Sequence, residues 1–119
     1  MVQLIKDKNL PSDFKYPKSL YKLIELKLTN FDVWYLMDED SANQRMKGLE
    51  ERYPDRRLIP FARRGDCDDL ACFEVGKGEM VNIIHDFATT GYEQREVFDT
   101  VWEWLRYAVE VMIEYEKME

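Results

Sequence analysis

The chain has 119 residues, 45% hydrophobic and 34% charged, with only five Gly and four Pro. That composition suits one folded domain over 1–119 and excludes two full domains as well as collagenous, low-complexity and disordered classes. The formal net charge is −7, unevenly placed: residues 1–64 carry 13 Lys and Arg against 10 Asp and Glu, a surplus of +3, whereas residues 65–119 carry 4 against 14, a deficit of −10.

An acidic C-terminal half repels phosphate backbones and anionic lipid, so neither nucleic acid nor a membrane surface is an expected partner. A basic protein is the expected one, drawn in by a salt-dependent attraction. The apolar runs stop at four or five residues, short of a membrane span or the core of an export signal. With two cysteines and no such leader, the expectation is a cytoplasmic protein with both thiols free.

In chain order, Met1–Phe14 shows short apolar islands broken by Lys, Asp and Pro11 and predicts a loosely held segment. Pro17 suits a first helical turn, and Leu20, Leu23, Ile24 and Leu28 recur at spacings of three and four, predicting a helix over 17–28. Phe31–Met37 is aromatic and β-branched, which favours an extended segment whose Trp34 and Tyr35 belong to a core or an interface. Asp38–Asn43 offers helix caps, and Met46, Leu49 and Tyr53 follow at helical spacing until Pro54, predicting a helix over 41–53.

From Leu58 the pattern becomes three short apolar runs, Leu58–Ala62, Leu70–Val75 and Met80–His85. Gly65–Asp69 joins the first two and Gly76-Lys77-Gly78 turns the last two into a hairpin. Val97, Phe98, Val101, Trp102, Leu105, Val109, Met112 and Ile113 then predict a long helix over 95–117. Trp102 and Trp104 lie on different sides of it, and a solvent-facing Trp104 is a candidate contact unless it covers the sheet edge. The order predicts an α+β fold: one domain, a mainly antiparallel sheet, N-terminal helices and a long C-terminal helix packed on the sheet.

Chemistry-bearing patterns are sparse. The single histidine, His85, would have to serve any Ser-His or Cys-His catalysis, but its neighbour Asp86 points to the opposite face of a continuing strand. Ser12, Ser19 and Ser41 sit where capping explains them. Cys67-x4-Cys72 with one histidine matches no zinc spacing. Counted from Asp66, an EF-hand loop would place Ala71 at the invariant glycine and Lys77 at the closing glutamate. Gly76-Lys77-Gly78 is too short for a phosphate loop. No cofactor or metal is expected, and a small hydrolase built on His85 and pairs such as Glu74 with Asp86 is the minor alternative.

The succession Tyr16-Pro17-Lys-Ser-Leu20, Trp34, Leu49-Glu-Glu-Arg-Tyr53-Pro54, Leu58-Ile-Pro60-Phe61-Ala62-Arg-Arg-Gly65-Asp66 and Ala71-Cys-Phe73-Glu74 resembles the SUKH superfamily. Val81–Asp86 and the Phe98-x3-Trp102-x2-Leu105 pattern continue the likeness over about 16–105. That superfamily groups fungal cell-wall-synthesis regulators with bacterial immunity proteins of contact-dependent and polymorphic toxin systems. The resemblance implies an α+β fold without catalysis and, for the bacterial members, neutralisation of a toxin domain, often a nuclease. A nuclease cleft that holds a polyanion is basic, and an acidic protein can occupy it as a mimic. Asp66, Asp68, Asp69, Glu74, Asp86 and Glu93 are therefore the expected partner-facing surface. The alternatives are a regulatory scaffold for endogenous proteins and a weakly self-associating domain that buries Trp34, Tyr35 or Trp104 between copies.

Overall fold

A computed structural model describes residues 1–118. After one 3-10 turn, Asp7–Asn9, the elements are α1 (Lys18–Glu25), β1 (Asn30–Phe31), β2 (Trp34–Leu36), α2 (Glu39–Arg52), β3 (Leu58–Arg64), β4 (Asp69–Glu74), β5 (Val81–His85), β6 (Gln94–Phe98) and α3 (Val101–Lys117). All six strands pair antiparallel in chain order, β1-β2-β3-β4-β5-β6. The fold is α+β with a single sheet. No helix among the described residues is long and apolar enough to cross a membrane.

Each expected helix and strand run is present, with corrected edges. α1 stops at Glu25 because Lys27 takes a left-handed φ of 61°. The Leu28 N–H then donates to the Leu23 carbonyl at 2.9 Å and the Lys27 N–H to Ile24 at 3.0 Å, a Schellman closure made without glycine. The N-terminal segment is not loose. Ile5 is buried, its N–H donates to the Tyr16 hydroxyl at 3.3 Å, and the Gln3 N–H donates to Asp38 Oδ1 at 3.1 Å.

The largest correction is at the C-terminus, where Gln94–Phe98 forms a sixth strand instead of opening the last helix. Thr100 starts α3: its Oγ1 accepts from the Glu103 N–H at 3.2 Å, the first half of a Thr-x-x-Glu capping pattern. The later start changes the buried stripe to Val101, Trp104 and Ala108. Trp104 is fully buried and Trp102 is the exposed tryptophan, the reverse of the orientation that would make Trp104 a surface contact.

Successive residues along β3, β4 and β5 are buried, so both faces of the sheet are covered. On one face Trp104 of α3 packs edge-on against Phe31, Trp34 and Phe61, and Phe61 stacks on Phe73 at 4.6 Å. The Tyr107 ring lies 6.1 Å from Trp34 in β2 and 4.9 Å from Phe98 in β6. The sheet therefore curls around α3 until strands two and six meet one side chain. Helix α2 packs on β3 and covers the opposite face. Trp34 is thus core, and with Trp104 it cannot serve an interface between copies.

Candidate protein-docking site

The β3–β4 turn and the β5–β6 loop (86–93) leave the same end of the sheet, because Asp69 and His85 are register partners and the Asp86 N–H donates to the Asp68 carbonyl at 3.1 Å. The loop consists of two consecutive turns. In the second, the Tyr92 N–H closes on the Thr89 carbonyl at 2.9 Å, and the third position is Gly91 at φ 97°. In the first, the Ala88 N–H closes on the His85 carbonyl at 3.3 Å, and the third position is Phe87 at φ 69°. Glycine is the residue that adopts this backbone without steric cost. A bulky side chain in the left-handed region costs about 1–2 kcal/mol and is held there by its surroundings.

Those surroundings are well defined. The Asp86 carboxylate, with no exposed side-chain surface, accepts from Arg45 Nε at 3.2 Å and Nη2 at 3.0 Å, and from Arg52 Nε at 2.7 Å and Nη2 at 2.8 Å. It also accepts from the Phe87 N–H at 2.9 Å. The Arg52 guanidinium then lies 4.0 Å from the Phe87 ring centroid. Tyr53 Oη donates to the Ala88 carbonyl at 2.7 Å and Thr90 Oγ1 to the Arg52 carbonyl at 3.2 Å. Glu93 closes the far side, accepting from the Gly91 N–H at 2.7 Å and from Arg56 Nη1 at 3.0 Å. The loop is fixed to α2 and its exit at every turn.

The same fixation leaves two aromatic rings outside. Phe87 is 61% exposed and Tyr92 75%. Aromatic side chains on a hydrogen-bonded loop supply contact area with little ordering cost, so the loop is a candidate docking surface.

The six expected acidic residues separate into distinct roles. Asp86 and Glu93 are buried, and Glu74 is half-buried against Arg56 Nη2 at 2.8 Å. These three carboxylates face three arginines, Arg45, Arg52 and Arg56, so the cluster is neutral as a unit and presents no acid to a partner. They position the loop instead. Burial pushes the Glu93 carboxyl up, but backbone N–H groups and Arg56 outweigh it and hold the group below its ordinary value. Asp69 Oδ1 lies 2.7 Å from His85 Nδ1. Asp66 receives Arg64 Nε at 2.9 Å and is held below the usual carboxylate range by it. Asp68 alone of the six is exposed without an ion pair.

The His85–Asp69 contact was not visible in the sequence, since the two residues meet across strands. Among the described residues no hydroxyl or thiol hydrogen-bonds the His85 ring. Burial, together with the carboxylates of Asp69 and Asp66, pushes the Cys67 thiol up, against thiolate formation. Cys72 is buried and pushed up further. Ser19 hydrogen-bonds Glu79, in the β4–β5 turn at the other end of β4. Among the described residues no group of three His, Cys, Asp or Glu side chains could hold a metal. A depression of about 650 Å³ on α2 is open and of mixed polarity, lined by residues such as Asp40, Gln44, Met46 and Lys47.

Sequence reasoning missed the arginines. Their signal was available: Gly48 sits inside α2, where glycine is unfavourable, and a Cβ there would lie 2.4 Å from Arg52 Nη2. The glycine clears the path by which Arg52 crosses the helix to Asp86.

Comparison of the chain with protein-family models, with curated proteins and with solved structures finds no match.

Proposed function

We propose that this chain is a non-catalytic protein-binding module that engages a basic protein through the β5–β6 loop, with Phe87 and Tyr92 as anchors. The observation that carries the reading is the strained Phe87. A loop that uses Gly91 at one left-handed position and phenylalanine at the equivalent one keeps the costly residue for its side chain.

Net charge supplies the long-range part. Neutral internal pairs leave the overall −7 unchanged, so a basic partner is still accelerated toward the protein and orients on the exposed Asp68 beside the loop. The likeness of the Ile59–Ala62, Gly65-Asp66 and Cys72–Glu74 segments to the SUKH superfamily supports one physiological role. In that role the protein is an immunity protein of the cytoplasm that neutralises a cognate toxin domain, a nuclease being the kind whose basic cleft such a surface suits.

Affinity capture from the source organism's lysate tests the reading, with the wild-type protein and a Phe87→Gly/Tyr92→Ser variant immobilised side by side. One basic toxin-like protein, held by wild type, released by salt and absent from the variant, is the expected result. Envelope-synthesis proteins held equally by both would shift the reading to a regulatory scaffold. Turnover of a substrate that His85→Ala abolishes would replace it with the hydrolase.

A further inference from the structure

The loop occupies one end of the molecule, and a second unpartnered surface lies on the far side of the sheet. Helix α3 carries apolar residues on two sides. Val101, Trp104 and Ala108 are fully buried and Leu105, Val109 and Met112 pack partly against the core, whereas Trp102 and Ile113, about three turns apart on the outer side, stay exposed. Trp102 is 45% exposed and Ile113 40%. Helix α1 packs beside α3, and its exit adds the exposed Leu26 and Leu28.

Charge identifies the occupant. Residues 15–28, containing α1, carry Lys15, Lys18, Lys22 and Lys27 against Glu25 alone, all exposed. Helix α3 carries four glutamates against Arg106 and Lys117, and Glu103, Glu110 and Glu114 are exposed. A positive helix and a negative helix side by side on one surface are each the complement of the other in a second copy. A two-fold axis satisfies both contacts at once, because an isologous interface meets every patch with its partner patch twice.

We propose that the protein forms a two-fold homodimer through this face, α1 of each protomer lying along α3 of the other, with Trp102 and Ile113 at the apolar centre and the lysines and glutamates at the rim. The β5–β6 loop is on the α2 side of the sheet and stays free in such a pair. The inference stands independently of the proposed function.

Sedimentation of the full chain across micromolar to millimolar concentration tests it. A monomer–dimer equilibrium is expected, with shielding of Trp102 from iodide in the dimer, readable because Trp34 and Trp104 are buried. Trp102→Glu, at an exposed site, should weaken association by about 10-fold or more while leaving far-ultraviolet circular dichroism unchanged. Lys18→Glu/Lys22→Glu should weaken it as well, and adding Glu103→Lys/Glu110→Lys to the same chain should restore it. A wild-type monomer at all concentrations, a dimer indifferent to Trp102→Glu, or charge reversal without rescue would each overturn the proposal.

Discussion

Arg52 and Phe87 are in direct contact, the guanidinium carbon 4.0 Å from the ring centroid, while the same guanidinium bonds the buried carboxylate of the preceding residue, Asp86. One side chain of α2 therefore fixes both the backbone and the ring of an exposed residue in a left-handed conformation. Stability does not select phenylalanine here, since glycine would make the turn at about the same net cost.

Phe87→Gly is accordingly expected to separate stability from binding. It relieves about 1–2 kcal/mol of backbone strain and forfeits a cation–π contact of about 0.5–1 kcal/mol. Glycine's larger unfolded-state entropy consumes part of the remainder. Urea unfolding should place the variant within about 1 kcal/mol of wild type.

Asp86→Asn should be severe. Two arginines would be left against an amide in a buried site, and breaking a buried pair costs about 3–5 kcal/mol. The midpoint in urea should fall well below wild type, with the β5–β6 amides losing hydrogen-exchange protection first.

Gly48→Ala goes against helix propensity. In an open helix interior the change gains about 1 kcal/mol. Here the new Cβ meets Arg52 Nη2 at 2.4 Å and displaces the guanidinium from Asp86. Thermal unfolding should show no stabilisation, and Phe87 should become more mobile.

Acid should loosen the loop from its Glu93 side. The folded-state value of Glu93 is depressed below that of an ordinary glutamate, so its contribution is fully present above the ordinary value and is lost as pH falls through the folded one. The protection of the Gly91 amide, taken relative to its intrinsic exchange rate, should fall in wild type as the solution is acidified through the Glu93 transition and be low and independent of that transition in Glu93→Gln.

The two thiols should react in sequence. Cys67 is exposed but its thiol is pushed up, so it should label slowly at neutral pH; Cys72 is buried and should label only on unfolding. Alkylation with mass readout before and after denaturation checks both.

Much of the fold was legible because periodicity is local. The runs at Leu58, Leu70 and Met80, with Gly76 and Gly78 between the last two, specify a meander by short continuous apolar stretches and turn chemistry. The sixth strand was missed because Val97 and Phe98 extend the helical stripe of α3 in phase, and only the Thr100-x-x-Glu103 cap marks the true start. One wrong boundary then reversed the roles of Trp102 and Trp104. The acidic residues were found as a composition, but their partners were not, because Arg45, Arg52 and Arg56 lie 18 to 41 positions away from the carboxylates they meet. Phe87 carried no signal at all, since a left-handed phenylalanine reads in sequence like any loop aromatic.

The most direct test is the affinity of the captured partner for Phe87→Gly/Tyr92→Ser, measured by titration calorimetry beside the unfolding curve of the same preparation. The prediction is a dissociation constant raised by about 100-fold or more with the fold intact. Wild-type affinity in a well-folded variant would contradict it, and the loop would then be a structural feature without a partner.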